Sequence, residues 1–121
     1  MNDTRRIVLK LLVRLENDSA FSNIILDNEL SNSKFSLQEK RFISAIFYGV
    51  AERKITLDSI INKYSKIKID KLDTNCLQIL RMGIYQLIYM DSVPESAAVN
   101  ESVKLAKRLK NPIFHMEAGN R

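Results

Sequence analysis

The 121-residue chain carries 19 Lys and Arg against 14 Asp and Glu, a formal charge of +5, with 45% hydrophobic and 27% charged residues. That length holds one domain with a real core, and the composition excludes a disordered chain. Three Gly and two Pro are few for a turn-rich β fold, and the single Cys76 excludes an internal disulfide or a multi-cysteine metal site and fits a reducing cytoplasm. The basic balance, with a pI of about 9.4, favours an acidic partner, nucleic acid before membrane.

The start, Met1-Asn2-Asp3-Thr4-Arg5-Arg6, has no signal-peptide character and leads straight into an amphipathic pattern. Asp3 or Thr4 can cap a first helix in which Ile7, Val8, Leu11, Leu12 and Leu15 recur at helical spacing. Arg6, Lys10 and Arg14 form a basic stripe on another arc, with Arg5 nearer the apolar edge. Asn17-Asp18-Ser19 ends this helix, and a short second helix follows over about residues 21–30 with Ile24, Ile25 and Leu30.

Ser36-Leu37-Gln38-Glu39 reads as a capping box, a Ser at the cap and a Glu three residues on. It opens a third helix whose apolar arc is Phe42, Ile43, Ile46, Phe47 and Val50. Gly49 lies beside that arc; because Gly costs a helix about 1 kcal/mol against Ala, a close helix crossing is the expected reason for it. Leu57, Ile60, Ile61 and Tyr64 define a short fourth helix, followed by a basic connector over residues 63–71 with Lys63, Lys66, Lys68 and Lys71.

Residues 79–90 are apolar almost all round, broken by Arg81, Gly83 and Gln86. A helix of that kind is buried in the middle of a bundle, and this one is far shorter than the roughly 20 residues that span a bilayer. Val93-Pro94 separates it from an amphipathic helix over residues 96–109, with Ala98, Val99, Ser102, Val103, Leu105, Ala106 and Leu109 on one arc and Asn100, Lys104, Lys107 and Arg108 on the other. This helical hairpin is the expected hub, and Lys110-Asn111-Pro112 ends it.

Arg81, inside the most apolar stretch, must be paired or reach solvent. Glu101, across the hairpin, is the expected mate; the competing reading has Arg81 snorkelling outward while Glu101 pairs with Lys104. Neither arrangement is catalytic. His115 is the lone His and lies near the end of the chain, Cys76 sits within an apolar pattern, and Gly49 and Gly83 are isolated, so no nucleophile, metal or phosphate-loop constellation is visible. Lys104, Lys107, Arg108 and Lys110 form a basic group on the last helix to match the stripe on the first. Such charges usually only solvate a face; two basic helical stripes can also contact the phosphates of a folded RNA. Phe21, Phe35 and Tyr64 are the loop-proximal aromatics available for base stacking.

The run Leu80-Arg81-Met82-Gly83-Ile84-Tyr85-Gln86-Leu87, then Val93-Pro94, then Ala97-Ala98-Val99-Asn100-Glu101-Ser102-Val103-Lys104-Leu105-Ala106-Lys107, resembles the NusB-like domain. More closely, it is similar to the N-terminal domain of bacterial rRNA cytosine-5 methyltransferases of the RsmB (Sun) type; Tyr48-Gly49-Val50 and Leu57-Asp58 also resemble the family, and Ser19-Ala20-Phe21-Ser22 and the Tyr48-Gly49 region look more like the methyltransferase version. The resemblance implies an all-α bundle of six to seven helices over residues 1–121, two small bundles sharing the helix at 79–90. It also implies a non-catalytic, rRNA-engaging module of an enzyme whose S-adenosylmethionine-binding domain is absent here. On that reading the RNA-facing residues are Arg5, Arg6, Lys10, Arg14, Lys104, Lys107 and Arg108, while Arg81, Glu101, Gly49 and Gly83 are structural. The alternatives are a free-standing antitermination factor that binds a short RNA element together with a ribosomal protein, and a helical protein–protein adaptor. The family's final helix, with its Phe-Val-Asn-x-Val-Leu-Arg pattern, is not recognisable in residues 113–121. A missing cover there would leave an apolar arc bare and favour self-association.

Overall fold

The computed structural model describes residues 2–18, 22–31 and 34–108. Phe21, His115, the Ser19-Ala20-Phe21-Ser22 stretch as a unit, and the whole of residues 109–121 lie outside the described residues. Within them the chain is all α-helical: α1 (Asn2–Asp18), α2 (Ser22–Ser31), α3 (Leu37–Glu52), α4 (Lys54–Tyr64), α5 (Thr74–Tyr89) and α6 (Glu95–Arg108), with one 3-10 turn at Ile69–Lys71.

Local chemistry explains the boundaries. At α3 the capping box is formed in both directions: Ser36 N–H donates to Glu39 Oε1 at 2.9 Å, and Glu39 N–H to Ser36 Oγ at 3.1 Å. The Asp73 carboxylate accepts from Asn75 N–H at 2.9 Å to start α5. Pro94 begins α6, its carbonyl accepting from Ala98 N–H at 3.0 Å. The corner between α3 and α4 has no Gly or Pro. One residue, Arg53 (φ −111°, ψ 22°), turns the chain while still donating to Gly49 O at 3.1 Å, so α4 begins earlier than its apolar pattern alone suggests.

The apolar faces of all six helices meet in one continuous core that includes Val8, Leu11, Leu12, Ile25, Ile43, Ile46, Phe47, Leu57, Met82 and Leu105. Helix α5 touches α1, α3, α4 and α6, which makes it the hub. The core runs on through this shared helix, and α1 also packs on α2, α3, α5 and α6. Yet α5 is not buried all round. Leu80, Leu87, Ile88 and Tyr89 are exposed, and Leu80 and Leu87 line an apolar groove of about 190 Å³ with Val99 and Val103 of α6, themselves 49% and 45% exposed. Helices α1, α3 and α4 cover the opposite sides of α5, and among the described residues no element lies over this one.

The close crossing at Gly49 is present. A Cβ there would overlap the ring of Tyr85 on α5, which stacks in turn on Tyr89 with ring centres 5.2 Å apart. At Gly83 an added Cβ would come within 2.9 Å of Ser102 Oγ, so this Gly sets the approach of α6.

The expected Arg81–Glu101 pair is not formed. Arg81, 3% exposed, is held by α4 and α1 instead: its Nε and Nη2 donate to the two Asp58 oxygens at 2.7 Å each, and Nη1 donates to Glu16 Oε1 at 3.1 Å. Glu101 turns to Lys104 at 3.4 Å, as the competing reading has it for that residue, yet Arg81 does not snorkel. The reason is rotational: the side of α5 that carries Arg81 faces α1 and α4, not α6. Burial works against the Arg81 charge, but the bonds from Asp58 and then Glu16 outweigh it and raise its pKa. For Glu16 burial works the other way and would raise the pKa, but the Arg81 bond and the Lys54 and Arg81 charges outweigh it to leave a lowered value.

Arg81→Met should therefore destabilise the fold by about 3 kcal/mol, the scale for breaking a buried pair. Asp58→Asn should cost about 2 kcal/mol, and Glu101→Gln should stay within about 0.5 kcal/mol. Urea unfolding checks all three. Because the folded Glu16 pKa is depressed, its contribution is present above the ordinary carboxylate range and is lost as pH falls through the lowered value. The acid limb of the unfolding curve should be weaker in the Arg81→Met protein. Gly49→Ala should destabilise by about 2 kcal/mol through overpacking, despite the better helix propensity of Ala. In a Tyr85→Ala background the same change should cost nothing, as thermal melts of the paired variants would show.

Candidate nucleic-acid interface

Consecutive residues on a helix point about 100° apart, so a basic run cannot all face one way. On α1 this separates Arg5 from Arg6. Arg6 is exposed and, with Lys10, lines a cleft of about 370 Å³ between α1 and α6. Arg108 closes the cleft from the last turn of α6, Asn75 from the first turn of α5, and its floor is Leu9, Val13 and Leu105. Residues from the two ends of the described chain thus put three cations around one depression with an apolar base.

These cations are only loosely engaged. Lys10 Nζ lies 3.4 Å from Glu29 Oε1 with the lysine 63% exposed, and Arg14 lies 3.5 Å from Asp18 farther along α1. Exposed pairs of this kind are worth no more than about 1 kcal/mol, so a phosphate can displace them. Lys104 and Lys107 are exposed on α6 but do not line the cleft, and Lys104 is paired with Glu101.

Arg5 lies nearer the apolar edge, as its helical position implies, and does not line the cleft. It is half-buried, its Nε donates to Gln86 Oε1 at 2.9 Å, and its guanidinium carbon sits 4.9 Å from the centre of the Phe42 ring. Burial lowers its pKa, partly offset by the nearby Glu101 carboxylate. Gln86 is in turn anchored by donating to Met82 O at 3.0 Å.

The basic connector lies apart from the cleft. Lys68 Nζ donates to Asn62 O at 3.3 Å, and Lys63 covers the ring of Tyr64, an exposed aromatic. Phe35 is partly buried and packs against the core. Cys76 is buried, no group of three or more His, Cys, Asp or Glu among the described residues is placed to hold a metal, and no described helix is long and apolar enough to cross a membrane. Sequence reasoning missed Asn75 in the cleft, and Asp58 and Glu16 as the partners of Arg81. For Asp58 a signal existed: it is a carboxylate at the edge of the apolar arc formed by Leu57 and Ile61.

A model of the NusB family matches residues 2–115. The chain is 32% identical over 103 residues to the probable ribosomal RNA small subunit methyltransferase B of Bacillus subtilis, covering 85% of this chain and 23% of that protein. It is 35% identical over 109 residues to the transcription antitermination protein NusB of Ruminiclostridium cellulolyticum, covering 89% of this chain and 75% of that protein. It thus spans about a quarter of the methyltransferase relative and three quarters of the antitermination relative. A solved structure of T. maritima NusB matches in fold with a TM-score of 0.82 at 22% identity, over 92% of this chain and 79% of that one. The chain belongs to the NusB family.

Proposed function

We propose that this protein is an RNA-binding factor of the antitermination type, engaging RNA phosphates across the α1–α6 cleft. The observation that carries the reading is the convergence of Arg6, Lys10 and Arg108 on one depression, with no carboxylate lining it among the described residues. The 35% identity over 109 residues to the transcription antitermination protein NusB of Ruminiclostridium cellulolyticum supports the antitermination type. On this reading the protein works in the cytoplasm, the RNA is single-stranded or folded rRNA, and a ribosomal protein is a candidate co-partner. The exposed Lys104, Lys107 and Arg14 add long-range attraction rather than fixed contacts.

Binding to an rRNA-derived oligonucleotide should fall with salt. For about four neutralised phosphates, log K against log salt should have a slope of about −3. Arg6→Gln with Lys10→Gln should shallow that slope by about 1.5 units. Lys66→Gln with Lys68→Gln should leave it unchanged. Filter binding over a salt series makes the comparison. No binding at low salt, or a slope indifferent to Arg6 and Lys10, would favour a protein–protein adaptor working through the groove of Leu80, Leu87, Val99 and Val103.

A further inference from the structure

A second depression, a half-open cavity of about 560 Å³, lies around the edge of α1 from the basic cleft. Phe42, Val93, Pro94 and Ala97 give it apolar walls, Arg5 stands on one side, and Glu39 is on the rim. The Arg5 guanidinium is fixed from two directions, by its bond to Gln86 and by the Phe42 ring beneath it. That bond uses one of its five N–H donors. The volume lies within the range of small-ligand pockets.

The chemistry argues against a phosphate here. The Arg5 charge is already faced by Glu101, the walls are apolar, and the Glu39 carboxylate, held ionised by the Ser36 backbone N–H, repels an anion. A flat ring with polar edges suits the site better: it can pack on apolar and guanidinium surfaces and take hydrogen bonds at its edge. Arg5 and Arg6 are consecutive, so a strand whose phosphates rest on Arg6 passes within about one helix diameter, roughly 10 Å, of this cavity. We propose that the cavity walled by Phe42, Val93, Pro94 and Ala97 receives one unpaired nucleobase of the RNA held across Arg6 and Lys10, packed against the Arg5–Phe42 pair. The proposal rests on the RNA-binding reading and adds a base-recognition site to it.

The test uses the full chain and a short single-stranded RNA carrying a fluorescent 2-aminopurine at each position in turn. One position should be quenched on binding. Ala97→Leu fills the cavity without removing a core side chain. It should weaken binding roughly tenfold, the scale of one lost base stack, abolish the quench, and leave both the salt slope and the melting temperature unchanged. Phe42→Leu should act the same way on affinity, and Ala97→Leu decides the matter if Phe42→Leu does not fold. Full affinity and an unaltered quench in Ala97→Leu, while Arg6→Gln still shallows the salt slope, overturns the base site and leaves the RNA reading standing. Absence of any RNA binding by the unaltered protein removes both.

Discussion

A guanidinium with 3% of its surface exposed has to be compensated on the spot, and Arg81 finds its compensation on two helices far from its own in sequence. Asp58 takes it in a two-pronged grip from α4, and Glu16 takes the remaining nitrogen from α1. Gln78 and Lys54 converge on the same Glu16 oxygen at 3.5 and 3.6 Å. The net energy of such a network against an apolar isostere is close to nothing. What it gives is geometry. Apolar contacts tolerate small rotations of a helix, whereas a directional pair with a partner on each side does not. The rotation of α1 about its axis decides which of its basic residues face α6.

From that clasp the two depressions follow. With Glu16 drawn towards α5, Arg6 and Lys10 open towards α6, and Arg5 turns to Gln86 and Phe42. The same α1 therefore serves two surfaces of different chemistry, one cationic and open, the other largely apolar with its single guanidinium held by Gln86 and Phe42. Gly49 and Gly83 set how closely α3 and α6 approach α5, through the Tyr85 ring and the Ser102 side chain. None of the described buried side-chain polar atoms lacks a partner, consistent with a fold whose few internal polar groups are all employed in positioning.

Much of this was legible beforehand. The periodicity of Val8, Leu11 and Leu12, the Ser36–Glu39 box and the Val93-Pro94 break each specify local structure, and each is found where the pattern places it. The need of Arg81 for a partner was equally plain, but its identity was not. Helical spacing reports which residues share a face of one helix and is silent on which helix stands opposite. Glu101 is near in the hairpin, yet α6 packs on a different side of α5 from the one that carries Arg81. The same blindness applies to the partners of Arg5, whose place near the apolar edge was legible, and to the cleft itself, assembled from residues 6, 9, 10, 13, 75, 105 and 108. The apolar appearance of residues 79–90 overstated burial, because Leu80 and Leu87 have no described helix over them.

On the proposed RNA-binding reading, α1 and α6 form one RNA-facing surface while the connector does not. Backbone amide chemical shifts of the isotope-labelled protein, followed during titration with single-stranded rRNA fragments, test it residue by residue. The shifts should concentrate at Arg6, Lys10, Asn75 and Arg108, with Lys66, Lys68 and Lys71 unmoved. Shifts centred on the connector, or on Leu80, Leu87, Val99 and Val103 instead, would contradict it.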